Sequence, residues 1–142
     1  MIKNMYEIFE EIGAAPTFEE KRQAIIRNDS PALRLVLRAA LHPKIRFVFD
    51  KPVVYSRADS PPGLGENSVY SAINKVYLFE VGNPKVAPNL TKERKEQLLI
   101  QLLEGLEAKE ADVYMNMILK NLNVDGLDSD LVMSVYPGLL VN

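Results

Sequence analysis

SPALRLVLRAALHP, Ser30 to Pro43, contains a helix start, a buried face and a stop. Ser30 offers a hydroxyl to the orphan amides of a first turn, and Pro31 follows where its missing N–H costs least. Leu33, Val36, Leu37 and Leu41 recur at helical spacing and predict one apolar face, with Arg34 and Arg38 one turn apart on another. Pro43 ends the helix.

The same grammar repeats on both sides. Towards the N-terminus, Ile2, Met5, Ile8, Phe9 and Ile12 form a helical stripe that Gly13 is expected to stop, and Thr17 with Glu20 is a capping-box pattern for a short helix to about Asn28. Towards the C-terminus, IRFVF (Ile45 to Phe49) permits a strand or a buried turn equally. Ser60 to Gly65 holds two prolines and two glycines and must be a loop. Ser68 to Val81 regains helical spacing through Val69, Ile73 and Val76 or Tyr77, with fraying expected at Phe79 or Glu80. Gly82-Asn83-Pro84 and Pro88 bracket a connector. Thr91 caps a helix that buries Leu98, Leu99, Leu102, Leu103 and Leu106. Gly105 weakens its end by about 1 kcal/mol relative to Ala, which places a turn near Glu107. Ala111, Met115, Ile118 and Leu122 line the next helix. Asp128 caps a last one through Val135, stopped by Pro137-Gly138. The expectation is an all-α compact bundle of about six or seven helices, with an irregular Pro/Gly-containing middle segment, in a single domain spanning residues 1–142.

Composition agrees with one ordinary globular domain. The chain has 142 residues, 47% of them hydrophobic, 17 Lys and Arg against 19 Asp and Glu, and a formal charge of −2. Without Cys there is no disulfide scaffold, zinc knuckle, iron–sulfur site or thiol nucleophile. No apolar run approaches the roughly 20 residues of a membrane span, and MIKNMYEIFEEIG lacks the uninterrupted apolar stretch of a signal peptide. The expectation is a soluble cytoplasmic protein with no membrane association.

The near-neutral total hides a segregation. Between Lys21 and Arg57, nine bases (Lys21, Arg22, Arg27, Arg34, Arg38, Lys44, Arg46, Lys51, Arg57) face only Asp29 and Asp50. From Glu96 onward, Lys109 and Lys120 face eight acids, Asp125, Asp128 and Asp130 among them. Such a chain can present a basic face while its sum stays near zero, although solvated helix faces of opposite sign account for the same numbers.

Catalytic and cofactor patterns fail. His42 is the only imidazole, which excludes Ser–His–Asp and multi-His metal sites within the chain, and its place before Pro43 suits a helix-end residue. Gly63-Leu64-Gly65 lacks the strand, third glycine and Lys-Ser/Thr of a phosphate loop. Asp125, Asp128 and Asp130 lack the ladder and the distal Glu of a calcium loop. No catalytic residue, metal site or cofactor is expected, and the chain reads as a non-enzyme.

Two stretches carry a resemblance. Residues 32–51, ALRLVLRAALHPKIRFVFDK, are similar to the helix and the "YDP-x-I-x-FGI" run in the N-terminal DNA-binding domain of ATP-dependent DNA ligases, with His42 at the Asp of that run and Phe47-Val48-Phe49 at its Phe-Gly-Ile. Leu102-Leu103, Glu110-Ala111-Asp112, Ile118 to Asn123 and Val135 to Leu140 resemble the ligase pattern "EEA…ILKDLRIGVSEKTINKVFPGLI", with Gly126 on the family's glycine. The order and ends agree over almost the whole chain, in the manner of the shorter ligases carried by bacteriophages.

The resemblance implies an all-α domain that lies on the minor groove across a nick, here without the adenylation domain that holds the nucleotide-accepting lysine. Asn123 to Asp128 mimics the nucleotidyl motif K-x-D-G-x-R, but Asn123 stands at the Lys and Asp128 at the Arg, so no adenylate chemistry follows. Lys120, Asn123 and Gly126 fall on the turn that approaches the duplex. Arg34, Arg38, Lys44, Arg46 and Lys51 supply an alternative phosphate-facing surface. Against this, Asn123 replaces a basic residue, and the aspartates at 125, 128 and 130 oppose counterion release. Two functions therefore stand side by side. One is a non-catalytic DNA-binding accessory module for duplex or nicked DNA, in replication or repair. The other is a protein-interaction module on the same scaffold, whose acidic C-terminal face meets a replication or ligase protein.

Overall fold

Ser30 behaves as its position demands: its Oγ accepts from Leu33 N at 3.0 Å, with Pro31 in the first turn. Thr17, Thr91 and Asp128 cap in the same way, accepting from Glu20 N, Arg94 N and Leu131 N at 3.1, 3.1 and 2.9 Å. The computed structural model describes residues 3–56 and 68–141. Among them the chain is all-α, with seven α-helices: α1 (Met5–Ala14), α2 (Phe18–Arg27), α3 (Pro31–Leu41), α4 (Val69–Ala72), α5 (Lys92–Glu104), α6 (Ala108–Ile118) and α7 (Ser129–Val135). The loop expected over Ser60 to Gly65, and Ile2 of the first stripe, lie outside the described residues.

The stripes converge on one apolar cluster. Met5, Ile8 and Ile12 of α1, Ile25 of α2, Leu33 and Leu37 of α3, Leu99 and Leu103 of α5, Met117 of α6 and Leu131 of α7 all lie in it. Each such Leu or Ile contributes about 1.5–3 kcal/mol of burial. Leu98 and Leu102 are half-buried at its edge, because a thirteen-residue helix on the outside of a bundle covers only part of its girdle. Leu122 is buried one turn beyond the end of α6.

Three expectations need correction. Gly13 does not stop α1, which runs through it to Ala14; the chain turns outward at Ala15 instead. The helix expected over Ser68 to Val81 is one α turn, α4, continued as a 3₁₀ segment over Ile73–Phe79. Phe79 does not fray: it is 1% exposed, and its ring lies 6.0 Å from that of Phe49. The cause is tertiary. Val48 N donates to Phe79 O at 2.9 Å and Val81 N to Arg46 O at 2.7 Å, an antiparallel contact that draws the backbone out of helical geometry. IRFVF thus forms no full strand, only the single bridge Phe47 to Glu80, and its Ile45 and Phe49 are buried, in keeping with the buried-turn alternative.

α1 and α6 lie side by side and run in the same sense. Tyr6, at the start of α1, meets Glu110 near the start of α6. At the other end, a Cβ on Gly13 would lie 3.4 Å from Val124, just beyond α6. α3 also packs on α6. This arrangement brings several helix ends to the turn that follows α6.

Candidate functional site

Among the described residues the buried polar or charged side chains are Lys21, His42, Glu107 and Glu110, and each sits at a helix end. Helix N-termini carry unpaired N–H groups and partial positive charge, and C-termini carry the reverse. Glu107 is the N-cap of α6 and accepts from Lys109 N at 3.0 Å and Glu110 N at 3.1 Å. The Glu110 carboxylate accepts from Tyr6 N at 2.8 Å and Val69 N at 3.1 Å, closing the first turns of α1 and α4 together. Burial pushes the Glu110 carboxyl above its ordinary range, the N–H donors of Tyr6 and Val69 oppose this, and the neighbouring Glu107 adds to it.

The opposite ends are capped by lysines. Lys21 Nζ donates to Ile12 O at 3.0 Å and Gly13 O at 3.3 Å, at the C-terminal end of α1. Lys120 Nζ donates to Ala39 O at 3.0 Å and His42 O at 2.6 Å, at the end of α3. Burial draws the Lys120 ammonium below its ordinary range, with the Glu80 charge opposing. His42 is the C-cap of α3, and its Nδ1 accepts from Lys44 N at 3.1 Å. The helix-end role expected for His42 is thus what the structure shows.

The turn after α6 is irregular by necessity. Lys120, Asn123 and Gly126 have φ of 62°, 56° and 74°, so three left-handed residues occur at intervals of three. Asn121 Oδ1 accepts from Asn123 N at 3.1 Å and Val124 O from Leu127 N at 3.1 Å, which folds the segment on itself. Leu41 and residues 120–127 line an open groove of about 570 Å³. Glycine suits position 126 because L side chains rarely adopt its φ of 74°, and a Cβ there would also lie 2.7 Å from Lys21 Cε. Asp125, Asp128 and Asp130 are exposed beside this groove, Asp128 as the cap of α7.

The basic stretch resolves into paired and unpaired cations. Arg27 pairs with Glu11 at 2.7 Å, and Arg22 reaches Glu19 and Ser134 O at 3.5 Å. Arg34 grips Asp29 with Nε at 2.9 Å and Nη2 at 3.1 Å, while the Tyr136 hydroxyl donates to the same carboxylate at 2.6 Å. Arg34 and then Tyr136 hold the Asp29 carboxyl below its ordinary range. Arg38 is half-buried and engaged. Lys44, Arg46 and Lys51 are exposed, and their side chains make no hydrogen bond or ion pair among the described residues. Arg57 lies outside those residues.

Of the positions singled out from sequence, Lys44, Arg46, Lys120, Asn123 and Gly126 are therefore linked at the C-terminal end of α3. Lys120 ties the turn to the residue from which the Lys44–Lys51 segment leaves. Arg34 is apart, roughly 12 Å back along the α3 axis at 1.5 Å per residue. The inward roles of Lys21 and Glu110 were not singled out from the sequence, although spacing marks both: Lys21 falls with Ala24 and Ile25 on the buried face of α2, and Glu110 with Val113, Tyr114 and Met117 on that of α6.

Among the described residues no group of three or more His, Asp and Glu is placed to hold a metal ion, and no helix is long and apolar enough to cross a membrane. No curated protein matches this sequence. Residues 8–124, most of the chain, match a family described only as of unknown function, DUF6433, and the protein belongs to that family.

Proposed function

We propose that this chain is a non-catalytic DNA-binding accessory module that meets duplex or nicked DNA with the segment following α3 and the adjoining turn. The observation that carries the reading is the fate of the cations. Lys44, Arg46 and Lys51 stay exposed and make no ion pair among the described residues, Lys44 two residues beyond the His42 carbonyl that Lys120 of the turn holds, whereas Arg27 and Arg34 are neutralised by carboxylates. Free cations on a loop contact phosphate at little desolvation cost and release counterions, while paired ones must first break an ion pair. The turn offers backbone and small polar groups, Asn121, Asn123 and Gly126, of the kind a narrow groove admits. The ligase-like motifs point to the turn with Lys120, Asn123 and Gly126, while the Lys44–Lys51 cations are the alternative phosphate-facing surface beside them.

Three phosphate contacts correspond to a salt slope of about −2.7 in log K against log salt. Nicked-duplex binding by fluorescence anisotropy across a salt series is expected to show it. The triple variant Lys44→Ala/Arg46→Ala/Lys51→Ala should lose most of that slope and at least about tenfold in affinity at low salt. An absence of binding by the native chain at low salt overturns the proposal.

A second reading is favoured by the acidic edge. The C-terminal ends of α1, α3 and α6 lie at a turn that carries exposed Asp125, with exposed Asp130 following in the first turn of α7, and the lysines there face inward. That negative field suits a basic surface on a replication or ligase protein. The double variant Asp125→Asn/Asp130→Asn separates the two: it strengthens DNA binding under the first reading and abolishes capture of a basic partner under the second.

A further inference from the structure

We infer that Lys21 is a positioning residue: its side chain, threaded between the end of α1 and Gly126, holds the 120–127 turn in its ligand-ready shape without touching the ligand. The inference rests on the DNA-binding reading of that turn. Lys21 belongs to the basic stretch by sequence, but it is 7% exposed, and its ammonium already donates to Ile12 O and Gly13 O. A cation so enclosed has no path to a phosphate.

Its geometry instead sets the turn. The turn enters through Lys120, whose ammonium is anchored to Ala39 O and His42 O, and it leaves past Gly126, where the Lys21 stem fills the space a Cβ would take. A Cβ on Gly126 would meet Lys21 Cδ at 3.0 Å and Cε at 2.7 Å, so stem and glycine occupy complementary space. On the far side Val124 lies against Gly13, whose carbonyl Lys21 also holds. The left-handed conformation of Lys120 is unfavourable for a residue with a Cβ, whereas Asn123 belongs to a residue type that tolerates it and is supported locally by Asn121. With the Lys21 ammonium removed, the stem is no longer held to α1, and Gly126 is free to explore the broad range of φ open to glycine. The groove then loses its shape although every phosphate-facing cation remains.

The test separates positioning from contact. Lys21→Met keeps an unbranched stem and removes the ammonium. Its affinity for nicked duplex is expected to fall about tenfold from lost preorganisation, with the salt slope unchanged. Lys44→Ala, which removes a contact, should reduce that slope by about 0.9. Hydrogen exchange of the Asn123 to Leu127 amides should accelerate in Lys21→Met, while the amides of α3 stay protected. Lys21→Gln, which also removes the ammonium but keeps a polar head for the α1 carbonyls, should show both signatures in weaker form should Lys21→Met prove unstable. A slope lowered by about 1 in Lys21→Met would show a direct phosphate contact and overturn the inference. So would unchanged affinity together with unchanged exchange. Should the native chain bind no DNA, the DNA-binding reading fails, and exchange in the turn by itself decides whether Lys21 positions it.

Discussion

Glu110→Ala is expected to destabilise the fold by about 2–4 kcal/mol, the largest loss from any polar substitution in this protein, seen as a lower denaturant midpoint with an unchanged slope. The residue is 1% exposed and accepts from the first turns of two helices other than its own. Alanine leaves the Tyr6 and Val69 amides buried without an acceptor, each at about 1–3 kcal/mol. The damage should be local first. Amides at the start of α1 and through α4 lose protection before those of α5, which Glu110 does not touch. A loss below about 1 kcal/mol would show that water replaces the carboxylate and would sink the account. Its pH dependence has a definite sign. A carboxyl raised in the folded state contributes stability that is complete below its ordinary value of 4.5 and lost as pH rises through the folded value. Glu110→Gln, which does not ionise, should flatten this fall. Glu11 acts oppositely: Lys3, Arg27 and Asn28 hold its carboxyl down to about 2, so its contribution is present above 4.5 and disappears in strong acid.

Phe79→Ala should cost about 3–5 kcal/mol, and Phe79→Leu less than about 1.5. The ring is 1% exposed, packs 6.0 Å from Phe49 at 52°, and sits where the 3₁₀ segment meets the Arg46–Val48 backbone. Truncation opens a cavity and also loosens the antiparallel contact that holds the Lys44–Lys51 segment against the bundle. Faster exchange of the Val48 and Val81 amides is therefore expected even in buffer without denaturant. If Phe79→Ala costs no more than a surface substitution, about 0.5 kcal/mol or less, the residue is peripheral and this packing account is wrong.

The contrast between Ser30 and Phe79 shows what could be read in advance. Ser30, Thr17, Thr91 and Asp128 act within three residues of themselves, and all four cap the helices they announce. The stripe Leu33, Val36 and Leu37 is likewise local in its spacing, and all three are buried. Phe79 was legible only as the end of a weakening helical pattern. Its burial goes with the hydrogen bonds Val48 N to Phe79 O and Val81 N to Arg46 O, between residues more than thirty apart, which periodicity does not encode. The candidate site divides in the same way. Lys44 and Arg46 are exposed loop cations in sequence and structure alike. Lys120, matched by pattern to a ligand-facing turn, has its ammonium on carbonyls of α3.

The sequence by itself determined an all-α chain, the caps and apolar faces of its helices, and the segregation of charge along its length, because each is written in neighbours within a few residues. Only the tertiary structure decided which charges remain available. Helix ends brought together from distant parts of the chain generate their own fields and orphan groups, and they drew Lys21, Lys120, Glu107 and Glu110 inward to satisfy them. What was left outside includes Lys44, Arg46 and Lys51, the cations on which function must be tested.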